Sequence, residues 1–568
     1  MRKYPYLATC GIGLLALTGC IDDKYDLSDI DTTIELKAKD LTLPVNIDDV
    51  TLGDIIDLKD GNLKIIDGQY VFTSDGDFHS DEINVDAIDI KSPYISPSRK
   101  SIVGAATASG NVEYPVESDF VSFEYRSTNV SEHILAIKNI KTTLRLSIEI
   151  SVVELKDAIN AMHFTDLEIK LPTDVSMIPD HGSYDPETGV LSIPSATADG
   201  DVLRISADVT QINLPTEAAS FNPVAHTFEF SDRMRLQQGT LSLDPADYAG
   251  GTLPMTMTLV TQFRFSDLHA DKFTGRIDYN LDGFNINPVS LSDIPDMLNQ
   301  AGTDITLLNP QIYMSVNNPV ASYNLDAHAG MTLTPVRDNV SGNGISLDNG
   351  TFTIGHGDGT GPYDFCLSPT VPATYPEGYP SPEHVPFTDL GKVLAGSGLP
   401  QTISIDIDNA GIAPQDVTDF TLGVGMGQVE GTYLFYAPLA MGANSKIVYA
   451  ETKDGWSDET LDKMTIQKLE VTTTATNSTP FDIEVSGYPI DKEGHRINGV
   501  EVVGARLAKG ATAEKVTIRT TGEVKGLDGF TFTATLLAPQ STPTLTPDSN
   551  ISLKEIRATV SGNYIDEL

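Results

Sequence analysis

Through most of this chain apolar residues recur at every second position. Leu144, Leu146, Ile148 and Ile150 make one run, and Ile312, Met314 and Val316 make another. Ile466, Leu469 and Val471, then Val516 and Ile518, then Phe530 and Phe532 carry the pattern toward the C-terminus. A period near two sends successive side chains to opposite faces of an extended chain, so each run predicts a strand with one buried face. Turn-favouring clusters stand between the runs: Pro179-Asp-His-Gly182, Asp185-Pro-Glu-Thr-Gly189 and Asp348-Asn-Gly350. Their spacing suits antiparallel sandwiches, because parallel strands need crossovers of a dozen or more residues. The expected fold class is mostly β, with tandem antiparallel, immunoglobulin-like β-sandwich modules. Helical signals are short, at 155–164, 291–300 and 387–394. The last two open on Ser292-Asp293 and Thr388-Asp389 caps and close on Gly302 and Gly396, as connectors at module edges would.

A weak internal repeat supports modules. Phe123 and Tyr125 precede Asn129, Ile134 and Ala136; Tyr313 and Val316 precede Asn318, Tyr323 and Leu325; Val471 precedes Asn477, Phe481, Ile483 and Val485. Each reads as strand, Asn-containing turn, strand, and Asn suits a turn because it tolerates left-handed backbone. A second echo pairs Asp267-Leu-His-Ala270 and Gly275 with Glu555-Ile-Arg-Ala558 and Gly562, with one gap, as equivalent final strands would. The expected organisation is a signal peptide over 1–19, a tether over 20–44, and β-sandwich regions over 45–285, 286–455 and 456–568.

Length changes the picture little: 568 residues, 40% of them apolar, suffice for several cores. Charge changes it more. The formal net charge of −42 repels phosphate backbones, which excludes nucleic-acid binding. The acids are spread along the chain, as on a solvated surface. Asp406-Ile-Asp408-Asn-Ala-Gly411 comes nearest a calcium loop. Ala410 stands where a ligand is needed, and the alternation of Ile403, Ile405 and Ile407 makes the segment a strand. Neither a metal site nor a cofactor is expected.

At the N-terminus Arg2 and Lys3 precede an apolar run, residues 7–17, that is too short to span a bilayer. Leu17-Thr18-Gly19-Cys20 follows and resembles a bacterial lipobox, which implies a diacylglyceryl group on the Cys20 thiol and a mature chain beginning there. Acyl chains contribute about 0.8 kcal/mol per buried methylene, so two or three of them anchor a large body to a membrane. Loss of Arg2 and Lys3 with the signal takes the formal charge from −42 to −44. Cys10 would leave with the signal and Cys20 would carry lipid, which strands Cys366 and rules out a structural disulfide. Asp22 and Asp23 resemble, in position and charge, the acidic signal that sends Bacteroidetes lipoproteins to the outer face of the outer membrane.

Residues 25–58, YDLSDIDTTIELKAKDLTLPVNIDDVTLGDIIDL, continued by Gly68-Gln-Tyr-Val71, Asp75-Gly-Asp-Phe78 and Ser80-Asp81, resemble the opening of a group of functionally uncharacterised Bacteroidetes lipoproteins. The resemblance covers about the first 90 residues. It implies an envelope location and β-sandwich architecture, and carries over no catalytic residue. Asp31-Thr32-Thr33 also resembles the O-glycosylation pattern of that phylum, with Thr32 as acceptor.

Catalytic motifs are absent: there is no Gly-x-Ser-x-Gly elbow, no His-Glu-x-x-His, no phosphate-binding glycine loop and no cysteine pair for metal. In Gly355-His-Gly-Asp-Gly-Thr-Gly-Pro-Tyr-Asp-Phe-Cys366 a thiol follows an imidazole by ten residues, as in a Cys-His nucleophile pair. The glycines instead describe a loop between strands, and a lone Cys is commonly a small core residue. The functional expectation is an outer-membrane lipoprotein, anchored through Cys20 and facing the exterior, that serves without catalysis in adhesion, binding or scaffolding. The partner is an unknown protein or glycan. A glycan-binding lipoprotein of a nutrient-uptake system is one alternative, with Tyr375 and Tyr379 in the proline-rich stretch 371–387 as its best loop. A fimbria-like subunit that donates the strand 32–45 to a neighbour is the other.

Overall fold

The computed structural model describes residues 33–43, 61–291, 294–357, 361–457 and 459–567. About 58% of the chain is strand and 4% helix, in several antiparallel sheets of which none closes into a barrel. The mostly β, multi-sheet architecture is the one the alternation predicts. Among the described residues no helix is long and apolar enough to cross a membrane. Cys20, Asp22, Asp23 and Thr32 lie outside the described residues.

The strand Ile134–Val152 shows how the pattern becomes structure. Leu144, Leu146, Ile148 and Ile150 are fully buried on one face while Arg145, Ser147 and Glu149 turn outward. Each such aliphatic side chain stabilises the core by roughly 1.5–3 kcal/mol. The strand pairs with Val202–Asn213, Thr256–Phe265 and Leu268–Asn280, so its ends serve different neighbours. Outward Glu149 takes Arg204 at 3.2 Å and Arg264 at 2.6 Å, one from each flanking strand.

Strand partners come from far along the chain. Leu268–Asn280 pairs with Thr402–Thr421, and Gln69–His79 pairs with Glu430–Pro438. The sequence-based division at 286 therefore falls inside a woven set of sheets. Two compact units result: Thr51–Val448 joined by Leu537–Ser549, and a smaller unit in which the strand Thr33–Leu43 joins Tyr449–Leu536 and Asn550–Leu568. In the smaller unit Thr33–Leu43 is the edge strand of a five-stranded sheet and pairs antiparallel with Ile551–Glu567. The segment expected as a donor strand thus hydrogen-bonds its own chain.

Helix is scarcer than the caps suggest. The expected helix 155–164 is instead a 3-10 turn, Val153–Leu155, followed by the strand Ala161–Lys170, whose Met162 and Phe164 are buried alternately. The second shrinks to Asp296–Asn299 and the third to the 3-10 turn Leu390–Leu394. Single turns are what segments this short sustain, since nucleation is costly and isolated helices below about 12–15 residues are marginal. The closing glycines behave as the sequence predicts: Gly302 has φ +87° and Gly396 φ +118°.

Both sequence echoes acquire a physical meaning. Asn318 and Asn477 each mark the end of a strand and are buried there. Asn318 Nδ2 donates to Leu325 O at 2.8 Å while its Oδ1 accepts from Val320 N. Asn477 does the same with Phe481 O at 2.8 Å and Thr479 N. A side-chain amide that accepts from residue i+2 and donates onward replaces the ladder bonds lost where the chain leaves a sheet. Asn129 is exposed and does not share the role. In the second echo, a Cβ on Gly275 would stand 1.9 Å from Ala136 O, and one on Gly562 would stand 2.1 Å from Thr465 O. Each glycine sits at a register shift where two strands approach too closely for any side chain.

Candidate functional site

In the larger unit a loop and a strand pair border an open, shallow cleft of about 500 Å³, lined by Pro93, Tyr94, Ser122, Glu124, Asp232 and Arg233 among others. The strands are Val121–Ser127 and Thr227–Leu243. Their register sets Ser122 opposite Arg233, Phe123 opposite Asp232 and Glu124 opposite Ser231. Alternation then sorts the faces. Phe123, Tyr125, Phe228 and Phe230 turn inward and are buried, which leaves Ser122, Glu124, Ser231 and Arg233 on the outer face.

The floor is an aromatic cluster. Phe123 lies 5.1 Å from Phe230, edge to face, and 4.9 Å from Phe265. Tyr125, 5.9 Å from Phe265, donates its hydroxyl to Ser266 O at 2.5 Å. Burial pushes that phenol well above its ordinary pKa.

Loop 91–97, Lys-Ser-Pro-Tyr-Ile-Ser-Pro, is tied to the same floor. Asp267, next to Ser266, accepts from Lys91 Nζ at 2.7 Å and from Ser92 N at 2.8 Å. The Lys91 ammonium, followed by the Ser92 amide, holds the Asp267 carboxyl below its usual range. Past the tip, Gln262 Nε2 donates to Ile95 O at 2.8 Å and the Ile95 side chain is buried. Between these fixed points Tyr94 stands 86% exposed, the most solvent-open aromatic among the described residues. Phe120, 47% exposed, precedes the first strand and lies beneath two guanidinium groups, Arg233 at 5.3 Å and Arg235 at 4.5 Å from the ring centroid. The result is an exposed aromatic side chain on a backbone-anchored loop, beside a cationic donor, a carboxylate and hydroxyls.

No family model matches the chain. No curated protein matches it either. Among solved structures it is similar to a protein of Parabacteroides distasonis provisionally described as secreted: 13% identity and a TM-score of 0.35, over 51% of this chain and 89% of that one. So loose a likeness carries no argument about fold family or function.

The residues singled out in the sequence are placed elsewhere. Tyr379 is buried, with its ring 5.2 Å from Tyr313, and Tyr375 meets Tyr313 edge-on at 6.4 Å. Beyond them Glu383–Pro386 joins the sheet in parallel with Tyr363–Ser368. Of the two tyrosines of 371–387, Tyr379 is thus packed into the sheet, while Tyr375 remains 36% exposed.

Cys366 and His356 do not meet as a pair. His356 Nδ1 bonds Asp326 Oδ1 at 2.6 Å. Cys366 is 0% exposed beside Tyr313, its Sγ 3.7 Å from Ser368 Oγ, and burial pushes the thiol pKa up. A protonated, enclosed thiol is a poor nucleophile. Iodoacetamide at pH 8 should leave Cys366 unmodified in the native chain and alkylate it after denaturation; mass spectrometry reads the result, and native labelling at the denatured rate would contradict the enclosure.

Asp406 and Asp408 lie in the strand Thr402–Thr421, as the alternation predicts, and share a polar cleft of about 520 Å³ with Asp282 and Asn409. Asp408 Oδ2 accepts from Thr332 Oγ1 at 2.7 Å. Asp491, Glu493 and His495 converge at an exposed turn, where Asp491 Oδ1 accepts the backbone N–H of both Glu493 and His495. Asp491 thereby shapes the backbone of its turn. No sequence motif marks Tyr94 or Arg233, although a tyrosine held between Pro93 and Pro97 is a legible signal of a stiff, exposed loop.

Proposed function

We propose that this protein is an outer-membrane lipoprotein, held by lipid on Cys20 and facing the cell exterior, which works without catalysis as a saccharide-binding and scaffolding protein. The observation that carries the reading is the Tyr94 cleft. Its loop backbone is anchored on both sides of Tyr94, which lowers the ordering cost of binding, and an apolar ring face beside polar groups is how proteins orient polar ligands. The lipobox-like Leu17-Thr18-Gly19-Cys20 and the acidic Asp22-Asp23 support the address, as does the resemblance of residues 25–58 to Bacteroidetes lipoproteins.

Two measurements test this. Cys20→Ala should move the protein from the membrane to the soluble fraction. Replacing Asp22 and Asp23 with Ala should leave it anchored but protected when protease is added to intact cells. Surface digestion unchanged by the double substitution would refute the address, and full membrane retention of Cys20→Ala would refute the anchor.

A further inference from the structure

We propose that the Tyr94 cleft takes an acidic saccharide, a uronic-acid-type sugar whose ring lies on Tyr94 and whose carboxylate meets Arg233. The proposal rests on the reading of the cleft as a saccharide site and names the chemical class of its ligand.

The argument starts from the arginines. The chain has 79 acidic residues against 37 basic ones, so a guanidinium at the surface has carboxylates to choose from. Arg145, Arg204, Arg264, Arg276, Arg506 and Arg519 all take one. Among the described residues Arg233 and Arg235 take none, as is also true of Arg99, Arg126, Arg337 and Arg496; the first two are set apart by the ring they share. Both lie over the ring of Phe120, at alternate positions of one strand and on one face. The Nε of Arg235 is in addition buried with no hydrogen-bond partner. A guanidinium offers five N–H donors in a planar fork, and stacking on an aromatic ring fixes the plane of the fork without using any donor. Arg233, the one of the two that lines the cleft, is such a fork with no carboxylate of its own, and it forms a preset site for an anion with planar oxygens.

The rest of the cleft narrows the ligand. Glu124 lines it on the face of Arg233, and a carboxylate accepts only, so the ligand must supply donors. Ser122 and Ser231 can serve either way. An exposed ring beside them calls for a face of C–H bonds. One molecule that brings an anionic acceptor, several hydroxyl donors and an apolar face is a sugar acid. The acidic surface as a whole does not forbid it: at physiological salt the screening length is about 8 Å, so the groups in the cleft decide. A bare phosphate would leave Tyr94 and Glu124 without partners.

The test is calorimetric titration of the detergent-solubilised full chain with oligogalacturonate and with its methyl ester, which keeps the sugar and removes the charge. The acid should bind about tenfold more tightly than the ester, with the preference falling as salt rises. Arg233→Gln should abolish the preference while leaving ester binding in place, and Tyr94→Ala should remove both. Equal binding of acid and ester, lost in Tyr94→Ala, would overturn the acidic assignment and leave the saccharide site standing. No binding of either, or binding indifferent to Tyr94→Ala, would overturn both. Displacement of the acid by polyglutamate at matched charge and equal affinity would replace the sugar by an acidic polypeptide and so overturn the class.

Discussion

Phe230→Ala should lower the unfolding free energy of the larger unit by about 3–5 kcal/mol, the loss typical when a fully buried aromatic is cut back to a methyl group. The side chain is 1% exposed and its ring packs edge to face on Phe123 at 5.1 Å. Removal leaves a cavity between Phe123, Tyr125 and the neighbouring strands, which strand geometry prevents from collapsing. A domain commonly has only about 5–15 kcal/mol in total, so the shift is large. It should also reach the cleft, because Ser231 and Arg233 belong to the same strand and point the other way. Chemical denaturation followed by circular dichroism measures the first effect, and saccharide titration the second. A change in stability below about 1 kcal/mol would mean that the aromatic cluster does not support this strand pair.

Asn477→Ala should destabilise the smaller unit by on the order of 3 kcal/mol. Its Nδ2 donates to Phe481 O at 2.8 Å and to Ala508 O at 3.1 Å, and its Oδ1 accepts from Thr479 N at 3.0 Å and Thr479 Oγ1 at 2.6 Å. Alanine fills the space poorly and leaves those groups without partners, at about 1–3 kcal/mol for each one that stays buried and dry. The two substitutions lie in different compact units. Calorimetry should therefore show them acting on separate transitions, Phe230→Ala on one and Asn477→Ala on the other. A common shift of a single transition by both variants would show that the chain unfolds as one body.

Part of the candidate site is legible in the sequence. Phe228, Phe230, Met234 and Leu236 alternate with Ser231, Arg233 and Arg235, so the outward direction of the arginines follows from period two alone. What faces them does not. Phe120 and Ser122 reach Arg235 and Arg233 only because two strands about a hundred residues apart pair in one register, and a slip of one residue would turn Glu124 and Ser122 inward. Tyr94 is set by Asp267 and Gln262, still farther along the chain. Tyr379 misleads for the same reason: its burial depends on Tyr313, which no local pattern connects to it.

Local sequence determined the strands, the turns and the helix-closing glycines, because alternation, Asn and Gly act through the backbone of their own few residues. It also determined that residue 366 would be an ordinary core cysteine, since glycines around His356 leave no element to hold a nucleophile pair. Which strand lies beside which was decided only in three dimensions. The cost of closing a loop grows slowly, by about 0.6 kcal/mol for each doubling of its length, so pairing Gln69–His79 with Glu430–Pro438 costs only about 3 kcal/mol more than closing a short hairpin, an amount that one or two buried side chains offset. Burial and side-chain fit then select the partner. That is why the expected boundary at 286 runs through a sheet, and why Thr33–Leu43 ends beside Ile551–Glu567 at the other end of the chain.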